Sequence, residues 1–154
     1  MDKKYPSSTK VVVIGGGVIG CSVAYHLTKF GWKDVVLLER DQLTSGTTWH
    51  AAGLVSQLGP SAVVTKIRKY TLDLYKNLEK EVDHSAGLRL NGALSIAQTD
   101  SRWQELKRQA TTAQIYDVDL RLLDKDELKK NYPEYYKILT ETNVNFKFTD
   151  LQSG

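Results

Sequence analysis

Cysteine is almost missing from this chain: Cys21 stands alone, so no internal disulfide can close and no pair of thiolates offers a metal-ligand spacing. A reducing compartment is permitted by that usage and not required by it. An excess of one charge is missing too. The 21 Lys and Arg residues face 18 Asp and Glu, a formal +3, and the two signs are mixed along Lys76 to Glu81 and Asp124 to Lys130. Such stretches read as solvated helix faces, and a nucleic-acid partner is not expected. Long apolar runs are absent as well, none exceeding the strand-sized Val11 to Ile14, whereas a membrane span needs about 20 such residues. Met1 to Lys10 is polar, without the apolar stretch of a secretory signal, and too short for a transit peptide. The expected location is cytoplasmic, or the mitochondrial matrix where a targeting segment lies outside these residues.

What is present fits one soluble domain, with 41% hydrophobic and 25% charged residues close to the globular average. Residues 1–9 read as a flexible tail and 10–60 as a dinucleotide-binding unit with a loop. Residues 61–140 read as helices with a small hairpin, and 141–154 fit no element. Lys10 to Ile14 reads as a buried parallel strand entering a glycine cluster, and a helix is expected from about Gly17 to Phe30. Val18, Cys21, Val23, Ala24 and Leu27 are its packing residues, and Gly31 is its C-terminal cap. Asp34 to Glu39 gives a second strand. The Gly-, Ser- and Thr-rich stretch from Arg40 to Pro60 is long enough to suggest a functional loop.

Beyond it, Val64, Ile67, Thr71, Leu74, Leu78 and Val82 recur at helical spacing. Leu88 to Ala97 alternates around Asn91-Gly92 and predicts an antiparallel hairpin. A further helix is expected from Ser101 to Ile115, with Trp103, Leu106, Ala110 and Ala113 on one face, then a short strand near Leu120 to Leu123. Asp124 and Glu127 predict a helix start that Pro133 helps to end. The fold class is therefore α/β, a Rossmann-like β-α-β unit with added helices.

The chemistry concentrates between the first strand and helix. Gly15, Gly17 and Gly20 satisfy G-x-G-x-x-G in the required strand-to-helix context. Gly15 permits the tight turn, Gly17 lets backbone approach a pyrophosphate, and Gly20 lets the helix lie close to the strand. The amides around Val18 and Ile19 are expected to face the phosphates at the positive end of the helix dipole. Glu39 falls nineteen residues beyond Gly20, where an acid accepts hydrogen bonds from ribose hydroxyls and disfavours a 2′-phosphate. These residues define a dinucleotide site and leave FAD and NAD both open.

The following segment adds a resemblance. Glu39-Arg40 and then Leu43-Thr44-Ser45-Gly46-Thr47-Thr48-Trp49-His50-Ala51-Ala52-Gly53-Leu54 are similar to the N-terminal region of the dimethylglycine and sarcosine dehydrogenase family, within the D-amino-acid-oxidase-like FAD enzymes. The likeness runs from about Val11 to Pro133, and the stretch past Pro133 departs from the family pattern. It implies FAD as cofactor, with contacts at Val18, Ile19, Glu39, Arg40 and the run Gly46, Thr47, Thr48, Trp49, His50, Ala51, Ala52, Gly53 and Leu54. It also implies that His50 carries the flavin covalently. A neutral imidazole is a competent nucleophile, and the eleven residues from Glu39 to His50 span up to about 36 Å when extended.

By the same resemblance the activity is oxidation of an N-methyl amine, of dimethylglycine or sarcosine type. Hydride passes to FAD and electrons leave through an electron-transfer flavoprotein. The substrate-orienting groups would lie outside these residues. Two other readings compete: a non-catalytic relative like the pyruvate dehydrogenase phosphatase regulatory subunit, which lacks the flavin-linking histidine, and an NAD-dependent dehydrogenase, which has no use for Gly46 to Leu54. His26 reads as an ordinary helix histidine and His84 as a cap on the long helix. Trp32, Trp49 and Trp103 read as packing residues, Trp49 alone being placed to approach a flavin.

Overall fold

A computed structural model describes residues 6–141, so the stretches 1–5 and 142–154, with most of the two expected tails, lie outside the described residues. The chain forms two compact units that divide between Leu54 and Val55.

The first unit is the expected β-α-β. Strand β1 (Val11–Ile14) and strand β2 (Val35–Leu38) pair in parallel, Val11 opposite Val35 and Ile14 opposite Leu38. The start of this ribbon is stapled by Asp34, whose carboxylate accepts the Lys10 N–H at 3.1 Å. Helix α1 (Val18–Lys29) joins the strands. It ends as Gly31 suggested: with φ at +88°, Gly31 turns the chain so that its N–H reaches the Thr28 carbonyl and the Trp32 N–H the Leu27 carbonyl. Those two bonds satisfy carbonyls that the helix end leaves unpaired.

Burial in this unit is thinner than the apolar pattern suggested. Val13 is buried, Cys21, Ala24 and Leu27 are half-buried, and Val18 and Val23 are exposed. Strands lie about 4.8 Å apart whereas a helix with its side chains is about 10 Å across. A two-strand ribbon therefore cannot cover every apolar position of α1. Nor is the ribbon itself covered on both sides, since Ile14 remains 86% exposed.

The second unit is helical among its described residues: α2 (Ala62–Val82), α3 (Asp100–Ile115), α4 (Lys125–Asn131) and α5 (Pro133–Glu141). Ser61 caps α2 by accepting the Val64 N–H, and Thr99 caps α3 by accepting the Arg102 N–H, each satisfying an otherwise orphaned donor. The face of α2 that is buried is centred on Thr65 and Leu72, while Ile67 and Val82 of the expected stripe are exposed. Thr65 is fully buried because its hydroxyl oxygen accepts the Gly59 N–H at 3.0 Å. Along the same helix the Lys69 ammonium donates to the carbonyls of Tyr116, at 2.5 Å, and Asp117, at 2.8 Å, closing the negative end of α3. Among the described residues of this unit, the buried apolar ones are Leu72, Ala97, Leu106, Ala110, Ala113 and Leu128.

Asp124 and Glu127 form a complete capping box at the start of α4, Asp124 accepting the Glu127 N–H and Glu127 accepting the Asp124 N–H. Replacing Asp124 with Ala is expected to lower the stability of this unit by about 1 kcal/mol. A fall in the denaturant midpoint at unchanged slope checks this.

Four expectations are corrected here. Leu88 to Ala97 forms no hairpin, and Leu120 to Leu123 forms no strand. An isolated two-stranded hairpin is marginal in water and needs a third strand or a packed face, and the sheet among the described residues consists of β1 and β2 alone. Alternation around Asn91-Gly92 supplies the turn chemistry without the partner. Pro133 does more than help end α4: it occupies the first position of α5, where a residue with no N–H and a helical φ costs nothing. Finally, His84 does not close α2. Asp83 in the left-handed region does so, with the Glu79 carboxylate accepting from the Ser85 hydroxyl and the Ala86 N–H.

Candidate cofactor site

The β1–α1 turn is built backbone first. Gly15 has φ at +101°, a conformation costly for any residue with a Cβ, and its N–H extends the strand ladder to the Leu38 carbonyl at 2.8 Å. Gly16 is buried, and its N–H donates to Glu39 Oε2 at 2.6 Å. A Cβ on Gly16 would meet Leu43 Cδ2 at 2.5 Å and Glu39 Cβ at 3.1 Å. The Gly16 carbonyl accepts the Thr44 N–H at 2.9 Å, and Thr44 is itself held at φ +67°, outside the usual range for a β-branched residue. Gly16 thus ties the glycine turn to both the end of β2 and the loop that follows it.

Gly20 has the close-packing role its spacing assigned. A Cβ on Gly20 would collide with the Gly15 carbonyl, so only hydrogen allows α1 to lie this close to the turn. On Gly17 it would stand 3.0 Å from Thr48 Oγ1. Gly17 caps α1 with extended backbone and no side-chain bond, and no acidic residue lies in the first turn. The first turn of α1 thus carries no acid of its own, and its remaining N–H groups suit an anionic ligand. The Val18 N–H, expected to face a phosphate directly, donates instead to Thr48 Oγ1 at 2.9 Å.

Glu39 sits at the exit of β2 and its carboxylate accepts three backbone N–H groups: Gly16 on Oε2, and Arg40 at 2.7 Å and Asp41 at 3.1 Å on Oε1. The Gly16 bond first, then those of Asp41 and Arg40, hold the carboxyl below the usual carboxylate pKa. A carboxylate offers about four acceptor sites, so one remains on Oε2 for a ribose hydroxyl. Because the folded pKa is lowered, the contribution of these bonds is fully present above the unfolded carboxylate value and is lost as pH falls through the folded one. The Gly16 amide resonance is therefore expected to titrate below the ordinary Glu range; a midpoint at the ordinary value would break the link between Glu39 and the turn. Replacing Glu39 with Ala is expected to weaken dinucleotide affinity by about ten- to a hundredfold, the scale of a lost charge-assisted hydrogen bond, measured by cofactor titration.

Past Thr44 the loop makes a 3-10 turn over Thr47–His50, opening after Gly46. Between Arg40 and Ser56 only Thr48 is half-buried, and the rest are exposed. Trp49 and His50 stack with ring centroids 3.9 Å apart and planes tilted by 30°. Gly15 to Gly20, Glu39 and Thr48 are thus brought together, with His50 two residues from that cluster. Arg40 adds its amide to Glu39 while the residue itself is exposed, and Ala51, Ala52, Gly53 and Leu54 run on as exposed chain. Gly16, Leu43 and Thr44 are the participants that the fingerprint did not mark. Gly16 fell on a free position of the motif, although an unbroken run of three glycines was its available signal. Outside the cluster, the His26 ring lies 2.6 Å from the Ser22 carbonyl within α1, an ordinary helix contact, and Cys21 Sγ lies 3.4 Å from the Gly16 carbonyl.

A parallel β-α-β unit whose glycine turn leads into a helix start, with an acid at the end of the second strand, is a dinucleotide-binding unit. The FAD dependent oxidoreductase family matches residues 10–145, and the chain belongs to that family. It is 44% identical over 129 residues to mitochondrial sarcosine dehydrogenase of Mus musculus, covering 83% of this chain and 14% of that protein. With mitochondrial dimethylglycine dehydrogenase of Homo sapiens it shares 37% over 132 residues, 86% of this chain and 15% of that protein. Among solved structures, glycine oxidase from Bacillus cereus superposes with a TM-score of 0.64 at 26% identity, over 82% of this chain and 36% of the other. The chain thus spans about a seventh of the length of the two dehydrogenases. FAD is the cofactor of the family, and the chemistry of the residues present fits it: a turn without a Cβ at Gly17, N–H groups at the start of α1 and an open acceptor on Glu39 suit a pyrophosphate and a ribose.

Proposed function

We propose that this chain is the FAD-holding portion of a dehydrogenase that oxidises N-methyl amines of the sarcosine or dimethylglycine type. When bound, FAD supplies the two-electron acceptor for a hydride from the N-methyl carbon. The chain's own residues hold and orient it. Gly15, Gly17 and Gly20 give the phosphates backbone to lie against, Ile19 presents an amide of the first helical turn, and Glu39 takes a ribose hydroxyl. Thr47 to Leu54 then carry the chain toward the ring system, where His50 provides the covalent anchor. Groups that orient the amine and its carboxylate come from chain beyond these residues, and an electron-transfer flavoprotein is the proposed acceptor. The two dehydrogenase relatives are named as mitochondrial, which favours the matrix over the cytoplasm for the intact gene product.

The observation that carries this reading is the Thr48–Val18 contact. It sets a histidine-bearing turn beside the dinucleotide loop, an arrangement with no purpose in a plain NAD-binding unit. The test is to mix the flavin-loaded intact gene product with sarcosine and with dimethylglycine under anaerobic conditions and follow the visible flavin absorbance. Bleaching by an N-methyl amine is expected. A fully loaded protein that neither amine bleaches would support the non-catalytic reading instead.

A further inference from the structure

We infer that Thr48 is the positioning residue for the flavin bond of His50, transmitting the placement of the glycine turn to the imidazole; this rests on the proposed covalent role of His50. Thr48 lies at the second position of the 3-10 turn Thr47–His50. Its side chain acts outward, the hydroxyl oxygen accepting the Val18 N–H at 2.9 Å. Its carbonyl acts inward, accepting the Ala51 N–H at 3.2 Å and closing the turn around His50. The side chain is half-buried while every neighbour from Arg40 to Ser56 is exposed. Past Thr44 it therefore provides the point at which this stretch is fixed to the cofactor loop.

The contact is close to residue 17, where a Cβ would stand 3.0 Å from the same oxygen and push Thr48 by a few tenths of an ångström. Trp49 covers one side of the His50 ring at 3.9 Å between centroids, so the orientation of that ring follows the orientation of the turn. Displacing the Thr48 anchor would leave imidazole and indole moving as an exposed pair.

The bond at stake replaces the imidazole N–H and one C–H of the flavin 8α-methyl group by an N–C bond. The two protons and two electrons released pass to the flavin ring and are removed by dioxygen. Bond formation needs the imidazole nitrogen near the 8α carbon, and a displacement of about 1 Å can cost about a hundredfold in rate. Non-covalent affinity need not suffer equally. When Thr48 loses its hydroxyl, the Val18 N–H becomes available to a phosphate oxygen, which compensates for the lost protein contact.

The experiment uses the intact gene product prepared flavin-free, as wild type and as Thr48→Val, Thr48→Ala and Thr48→Ser. Each is given FAD in aerated buffer. The non-covalent dissociation constant is read from flavin fluorescence, and the covalent fraction over time from the flavin-bearing His50 peptide by mass spectrometry. At FAD concentrations that saturate each variant, Thr48→Val and Thr48→Ala should form the bond about 10- to 100-fold more slowly, and Thr48→Ser should restore the rate. Bond formation at the wild-type rate in Thr48→Ala overturns the inference. So does loss of FAD affinity matching the loss of rate in both variants, which would make Thr48 a cofactor-retaining residue only. A wild-type protein that binds FAD and never links it overturns the His50 reading itself.

Discussion

Gly20→Ala is expected to cost the first unit both its fold and its cofactor. The added methyl group falls on the Gly15 carbonyl, a backbone atom, and that residue is already committed by its positive φ and by its bond to Leu38. Neither partner can swing aside as a flexible side chain would, so α1 must move off the turn. Overpacking of an adaptable core costs about 1–3 kcal/mol, and this site, being backbone against backbone, should exceed that. Gly17 makes the informative contrast. A methyl group there meets only the end of the Thr48 side chain, at 3.0 Å, so Gly17→Ala should leave the unit folded and weaken FAD binding, while Gly17→Val should abolish binding in a folded protein. Amide exchange of the β1 and α1 residues together with FAD titration separates the effects. Wild-type affinity in Gly20→Ala would refute the close-packing role of Gly20, and a stoichiometrically loaded Gly17→Val would refute the phosphate-cradle role of Gly17.

His50→Ala is expected to eliminate covalent flavin while leaving non-covalent FAD largely in place. The separation follows from where the residues lie. The dinucleotide contacts come from the Gly15–Gly20 turn and Glu39, whereas His50 is an exposed residue on the turn beyond. Removing its ring costs the stack with Trp49 and no hydrogen bond to the glycine loop among the described residues. Unfolding the intact gene product in acid should leave flavin fluorescence with the wild-type polypeptide and release it from His50→Ala. Equal release from both would remove the covalent assignment without touching FAD binding.

The parts of this molecule that were legible in the sequence are those in which a residue acts on its near neighbours. Gly31 ends α1, Asp124 and Glu127 cap α4, and Val11 to Ile14 and Val35 to Leu38 are too short and too uniformly apolar to be anything but strands. Gly15 and Gly20 read correctly because each answers a constraint within the same turn, a positive φ for one and close backbone approach for the other. What depended on distant partners did not read. The Asn91-Gly92 alternation is a hairpin only where a sheet exists to receive it, and Val18 and Val23 are buried only where the sheet is wide enough to reach them. Within the site, Glu39 was placed correctly, but its three N–H bonds were invisible because one of them comes from Gly16 across the turn. The Thr48–Val18 bond joins residues thirty positions apart, and no periodicity or motif announces it.

We propose that this glycine turn, with Glu39, holds FAD. The most direct measurement is a titration of the intact gene product, made in riboflavin-deficient cells so that it is flavin-free, with FAD, NAD and NADP in parallel, alongside Gly17→Val. Stoichiometric binding of FAD, lost in Gly17→Val, is expected, with no saturable binding of either nicotinamide dinucleotide. Saturable binding of NAD with none of FAD would contradict it.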